Sequence, residues 1–239
     1  MKPVLPIAAV IGVVLLALGW RTLRAAPRAG AATLDGAGQL AARFLALGDS
    51  YTVGEGVDAR DAWPAQLARS LRARGVQVAD PETVATTGWT TDELATRIRK
   101  APPRGPYALV TLLIGVNDQY RGRSTDEYRV QFQDLLAQAI RFAGGEPQHV
   151  IVVSIPDWGV MPFAEGRDRA KIGRAIDAFN AIGRDEAARI GAAFADITAV
   201  SRETHADWAA SDGLHPSGVQ YARWVEVVLD PALRILGGQ

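Results

Sequence analysis

The sequence predicts an α/β fold, a three-layer α/β/α sandwich with a mostly parallel five-stranded sheet. Short apolar runs that fit buried strands occur at residues 44–47, 82–86, 108–114, 150–154 and 193–196. Amphipathic segments of helical length lie between and after them, at residues 63–74, 91–99, 126–143, 169–190 and 217–229. Strands that alternate with helices are typical of parallel sheets whose right-handed crossovers cover both faces, as in flavodoxin-like folds.

Composition excludes several classes of function. The 239 residues include 26 Lys and Arg against 26 Asp and Glu, so no net field attracts nucleic acid. The chain has no cysteine, which excludes disulfides, thiolate zinc sites and a cysteine nucleophile. Neither a nucleotide-binding glycine motif nor a metal-ligand cluster stands out, and we expect no cofactor and no metal.

The N-terminal residues have a different character from the rest. Residues 4–20 carry no charge and would reach about 26 Å as a helix, close to a bilayer core of about 30 Å. We therefore divide the chain into a membrane anchor or signal segment at 1–20, a linker rich in Ala and Gly at 21–40, and a main domain at 41–239. A cleaved signal and a buried helix are the alternatives. The segment is followed by three arginines, which favour a cytoplasmic main domain: Arg21, Arg24 and Arg28.

A serine follows the first predicted strand, where function gathers in open α/β sheets. Ser50 alone indicates little, because such serines usually cap helices or turns. A nucleophile needs a base, and of the three histidines His215 is the candidate, because it lies in a tight turn just before the last helix with Asp212 three residues earlier. His149 begins a strand at the opposite edge, and His205 has no catalytic signal nearby. The same residues could instead form only a turn and a helix cap.

Two further strand-end loops offer hydrogen-bond donors for an oxyanion. The loop after the second strand contains Gly88, whose backbone N–H no side chain shields, and the loop after the third contains the carboxamide of Asn117. With the Ser50 N–H they would form three donors from three neighbouring loops. Each could also serve only its own turn.

The pieces GDSY, TTGWTT, IGVND and DGLHP, in this order from about residue 44 to 224, resemble the sequence blocks of the SGNH/GDSL hydrolase family. The resemblance implies Ser50 as nucleophile, His215 as general base and acid, and Asp212 as its orienting carboxylate. It implies Ser50, Gly88 and Asn117 as oxyanion donors. The second block departs from the family where an asparagine often stands among residues 85–87. Similar bacterial esterases with such a leader imply a single-pass protein of a bacterial inner membrane with a periplasmic domain; secretion and a cytoplasm-facing domain are the alternatives.

The sequence indicates less about the substrate than about the catalytic residues. Trp89, Trp158 and Phe163 could line an apolar groove for a small-molecule or lipid ester, or could only pack their own loops. We expect Asp49 and Asp118 to hold loop geometry through bonds to backbone N–H groups. The predicted function is a lipase-, lysophospholipase- or thioesterase-like serine esterase. The alternatives are a carbohydrate O-acetylesterase acting on envelope polysaccharide and a non-catalytic binding domain of the same fold.

Overall fold

The computed structural model describes residues 30–34, 40–203 and 205–237. Two short strands, β1 (Ala32–Leu34) and β2 (Leu40–Ala42), form an antiparallel pair. The main sheet contains five parallel strands: β3 (Phe44–Gly48), β4 (Glu82–Ala85), β5 (Leu109–Leu113), β6 (Val150–Val153) and β7 (Ala193–Ala195). Their order is β4-β3-β5-β6-β7. This is the doubly wound flavodoxin-like order, so the predicted fold class is confirmed.

Eight α-helices are described: α1 (Ser50–Val53), α2 (Trp63–Ala73), α3 (Thr91–Lys100), α4 (Val116–Tyr120), α5 (Thr125–Phe142), α6 (Arg169–Ile190), α7 (Thr198–Ser201) and α8 (Gly218–Gly237). Helix α2 packs on α8, while α5 packs on both α3 and α6. These two sets are the outer layers of the sandwich, and the sheet is the middle one. Every residue of β3, β5 and β6 is buried, as expected for central strands covered on both faces.

The last helix is longer than its amphipathic pattern predicts. The pattern predicts an end near residue 229, and Pro231 just beyond it cannot donate the intrahelical hydrogen bond that continues a helix. In the structure α8 runs through Pro231 to Gly237. The apolar side chains beyond it explain this, since Ala232 and Leu236 are buried against the core. Tertiary packing therefore outweighs the missing bond.

Part of the predicted linker has regular structure. Ala32–Leu34 lies within the segment 21–40, yet it pairs with β2, and Ala31 beside it is buried. The Arg43 N–H donates to the Ala31 carbonyl at 2.8 Å, which fixes this pair to the start of β3. Residues 1–29 and 35–39 lie outside the described ranges, so the division into an N-terminal segment, a linker and a main domain stays a prediction.

The localisation predicted from the sequence, a single-pass protein of the inner membrane, is contradicted. None of the helices in the described ranges combines the length and the apolar character needed to cross a membrane. Even the 22-residue α6 carries charged side chains along its length. The segment on which the prediction rested, residues 4–20, lies outside the described residues. The predicted membrane localisation is therefore wrong for the described part of the chain.

Candidate active site

The sheet brings three of the predicted site loops to one edge. Gly48 at the end of β3 pairs with Ala85 of β4 on one side and with Leu113 of β5 on the other, so these three strands end level. Ser50 and Asn117 follow the ends of β3 and β5, and Gly88 follows the end of β4. Strands β3 and β5 meet where the strand order reverses, the place at which open α/β sheets bind ligands.

Ser50 is the first residue of α1 and is buried. Asp49 precedes it as the helix cap, and its Oδ1 accepts the Tyr51 N–H at 3.1 Å, as predicted for this aspartate. Gly48 is needed for steric reasons, because a Cβ there would lie 2.2 Å from Thr52 Oγ1 and 2.5 Å from the Leu113 carbonyl oxygen. The turn that presents Ser50 therefore depends on a glycine before it.

Asp49 is fully buried, and burial raises its pKa to about 8. The hydrogen bond from Tyr51 opposes this rise, and the nearby negative charge of Asp118 adds to it. The second oxygen, Oδ2, has no hydrogen-bond partner within the described part of the chain. The carboxyl next to Ser50 is therefore predominantly protonated at neutral pH.

Asp212 and His215 form a close pair in the loop before α8. Asp212 Oδ2 lies 2.6 Å from His215 Nδ1, and its Oδ1 accepts the N–H groups of Leu214 and His215, each at 2.9 Å. Burial raises the pKa of Asp212, but the hydrogen bonds from His215 and Leu214 outweigh it and hold that pKa below its usual value. Gly213 makes the tight turn possible, with φ +69°. One carboxylate thus holds both the loop and the imidazole ring.

The residue after Ser50 links the two halves of the site. The Tyr51 ring meets two other rings edge-on: that of His215, with centroids 5.7 Å apart, and that of Trp224, at 5.8 Å. Tyr51 is part of the GDSY block, but the sequence gives it no role. Its contacts place the imidazole against the first turn of α1, which begins with Ser50.

The two predicted oxyanion loops are tied to one another. Asn117 Nδ2 donates to the Trp89 carbonyl at 2.9 Å, and the Arg121 guanidinium donates to the Gly88 carbonyl at 2.7 Å. Gly88 has φ +84°, in the left-handed region. One amide hydrogen of Asn117 is therefore committed to the Gly88 loop. Arg121, which caps the C-terminal end of α4 one helical turn after Asn117, was not predicted; that spacing is the signal that could have indicated it.

Asp118 also links the two predicted oxyanion loops. It is fully buried, and its Oδ2 accepts both the backbone N–H of Thr91, at 3.0 Å, and the Thr91 hydroxyl, at 2.9 Å. The prediction that Asp118 binds a backbone N–H is confirmed. Since Thr91 begins α3, this carboxyl joins the loop after β5 to the loop after β4.

The predicted substrate-binding aromatics differ in exposure. Trp158 is buried, and its Nε1 donates to Gln119 Oε1 at 2.8 Å. Phe163 is 38% exposed and meets the Trp158 ring at 6.1 Å, while Trp89 is partly buried against the core. Tyr120, which was not predicted, lies 5.5 Å from the Trp158 ring and is half exposed. These contacts place Trp158 at the base of an aromatic group and Phe163 at its surface.

The other two histidines lie in different surroundings. His205 stacks on Trp208 with ring centroids 4.4 Å apart. His149 ends a short 3₁₀ helix before β6, at the opposite edge of the sheet from the strand-end loops. Among the described residues no group of three or more His, Cys, Asp or Glu side chains could hold a metal ion.

Comparison with known proteins supports this fold and identifies its family. No curated protein matches the chain. The TesA structure covers 81% of this chain and 99% of its own, with 21% identity and TM-score 0.63. A lipase/acylhydrolase from Enterococcus faecalis covers 82% and 96%, with 22% identity and TM-score 0.63. An acetyl xylan esterase from Geobacillus stearothermophilus covers 82% and 95%, with 19% identity and TM-score 0.61.

At these identities the three structures show a shared fold alone. The sequence family described as GDSL-like lipase/acylhydrolase matches residues 46–223. That match spans most of the chain, from within β3 into α8, and contains all four sequence blocks. The chain therefore belongs to the GDSL-like lipase/acylhydrolase family.

Proposed function

We propose that this protein is a serine esterase that hydrolyses carboxylic esters through an acyl-enzyme on Ser50. The observation that carries the proposal is the 2.6 Å contact between Asp212 Oδ2 and His215 Nδ1, in a loop whose histidine packs beside the Ser50 turn. An acid, an imidazole and a hydroxyl in this order are the residue types that activate a serine nucleophile. Membership of an acylhydrolase family supports an ester as substrate.

In the proposed reaction His215 Nε2 takes the Ser50 proton while Ser50 Oγ attacks the ester carbonyl carbon. The carbonyl π electrons move to its oxygen, which would accept N–H groups from Ser50, Gly88 and the second amide hydrogen of Asn117. The tetrahedral intermediate collapses, the C–O bond to the alcohol breaks, and the alcohol leaves with the proton held by His215. Water then gives a proton to His215 Nε2 and attacks the acyl carbon. The bond from that carbon to Ser50 Oγ breaks, His215 returns its proton to Ser50 Oγ, and the acid is released.

The test is hydrolysis of p-nitrophenyl acetate and butyrate by Ser50→Ala, compared with the wild type and with Ser70→Ala as a matched control on α2. We expect Ser50→Ala to lose nearly all activity and to escape labelling by a fluorophosphonate probe. The control should keep both properties. Wild-type hydrolysis rates in a folded Ser50→Ala protein would overturn the proposal. A wild type that neither hydrolyses the esters nor is labelled by the probe would favour a non-catalytic binding domain.

A carbohydrate O-acetylesterase acting on envelope polysaccharide is the second candidate, and the fold shared with the acetyl xylan esterase favours it. For such an enzyme, acetyl esters should be hydrolysed faster than octanoyl esters. Equal or faster cleavage of octanoyl esters would exclude this candidate.

A further inference from the structure

An arginine covers the aromatic group beside the catalytic loops. The Arg167 guanidinium carbon lies 4.8 Å from the Phe163 ring centroid, 5.5 Å from that of Trp158 and 5.8 Å from that of Tyr120. All three distances fall within the range of cation–π contacts. Because a planar guanidinium stacks on aromatic faces, three rings restrict where its N–H groups can point.

This arginine platform, defined as Arg167 with Tyr120, Trp158 and Phe163, is attached to the candidate site from two sides. Tyr120 ends α4, the helix that contains Asn117, and Trp158 Nε1 bonds to Gln119 of the same helix. On the other side the Phe163 N–H donates to the Gly213 carbonyl at 2.9 Å, within the turn between Asp212 and His215. The platform therefore bridges an oxyanion loop and the histidine loop.

Arg167 has no carboxylate partner in the described ranges, where none lies within 4.0 Å of its guanidinium. By contrast, Arg121 binds Glu93 at 3.3 Å and Arg123 binds Asp92 at 2.6 Å. Arg169 also lacks a carboxylate, but it donates to the carbonyls of Val160 and Met161. Arg167 is also exposed. An exposed cation held by aromatic rings and lacking a carboxylate partner is suited to a carboxylate or phosphate ligand.

We propose that the arginine platform is a specificity subsite for esters that carry an anionic group, a carboxylate or a phosphate, near the scissile bond. The inference rests on the proposed esterase function and extends it to the substrate class. Arg167 is in this view a binding residue, and it takes no part in the bond-making steps. Its N–H groups would bind the anionic oxygens, while the rings fix the guanidinium.

The test compares matched pairs of substrates that differ in one charge. For an anion on the alcohol side the pair is 4-carboxyphenyl acetate and its methyl ester; for an anion on the acyl side it is phenyl hydrogen adipate and phenyl methyl adipate. For at least one pair we expect Arg167→Gln to lower kcat/KM about fivefold for the anionic member and to leave the neutral member unchanged. High salt should lower kcat/KM of the wild type for the anionic substrate, and should leave that of Arg167→Gln unchanged.

Arg141→Gln is the control, because Arg141 lies in the last turn of α5, at the opposite edge of the sheet. It should leave both rates unchanged. Phe163→Leu, which removes the ring closest to Arg167, should reduce the anionic preference partly. Equal effects of Arg167→Gln on both members of each pair, or no effect, would overturn the subsite. If the wild-type protein hydrolyses none of these esters, the proposed function itself is overturned.

Discussion

The contact between Asp212 and His215 gives the most direct prediction. Asp212→Asn keeps an oxygen that can accept the N–H groups of Leu214 and His215, now at 2.9 Å, so the loop should survive. The substitution replaces the Oδ2 acceptor, 2.6 Å from Nδ1, with an amide donor. His215 would then have to present a lone pair at Nδ1 and a proton at Nε2, the wrong tautomer for a base towards Ser50.

The size of the effect follows from the surroundings of Asp212. Loss of a buried orienting carboxylate costs about 10⁴ in kcat in serine hydrolases. The Asp212 side chain is 40% exposed, so water can partly replace the lost acceptor. We therefore expect a loss of about 10²–10³ in kcat, or about 2.7–4.1 kcal/mol. The measurement is kcat for p-nitrophenyl acetate near pH 7.5.

Two variants separate orientation from folding. Asp212→Ala also removes the acceptor for both backbone N–H groups and should lower the melting temperature as well as kcat. Asp207→Asn changes an exposed carboxyl in the same loop, for which the structure describes no hydrogen bond, and should match the wild type. A folded Asp212→Asn protein with kcat within threefold of the wild type would refute the role of Asp212.

Three further predictions concern the loops around Ser50. The pKa of Asp49 is raised from its usual 3.8 to about 8 in the folded protein. Between these two pH values the folded protein keeps the Asp49 proton and the unfolded chain loses it, so the free energy of unfolding falls as pH rises. The urea-unfolding free energy of the wild type minus that of Asp49→Asn should fall by about 2–3 kcal/mol from pH 5 to pH 7; a constant difference would contradict the buried acid. Gly48→Ala should lower the free energy of unfolding by about 3 kcal/mol, because the added Cβ forces the backbone to move. Gly237→Ala is the control, since its added Cβ meets nothing within 4 Å, and thermal melts of the two variants should show the difference. Asn117→Ala should lower kcat about 10²-fold with small change in melting temperature; an unchanged kcat would remove Asn117 from the oxyanion site.

The central strands and most of the long helices could be predicted from the sequence, because their apolar runs and amphipathic patterns follow from burial. The apolar runs of β3, β5 and β6 are buried on both faces, and the predicted ranges agree with them to within a residue or two. Asp212 and His215 could also be paired, since a separation of three residues across a glycine turn leaves few other arrangements. Local pattern and tertiary structure agree at these positions.

Other features depend on distant contacts and could not be predicted from local pattern. The pairing of Ala32–Leu34 with β2 joins residues that are six to ten positions apart, in a segment without sustained apolar periodicity. The link from Arg121 to the Gly88 carbonyl joins loops 33 residues apart, and only the sheet order makes them neighbours. The stack of Arg167 on Tyr120 likewise joins elements that are remote in sequence.

Two aspartates in the candidate site have opposite pKa shifts, which suit them to different roles in the proposed reaction. Asp212 accepts three N–H groups and has a lowered pKa, so it can stabilise the cation that would form when His215 takes the Ser50 proton. Asp49 is fully buried beside Ser50 and has a pKa of about 8. If it were ionised, its charge would oppose the negative charge that develops on the substrate's carbonyl oxygen next to Ser50 in the proposed reaction. Burial keeps it neutral, so it can cap α1 without that penalty. The two carboxyls therefore could not exchange places.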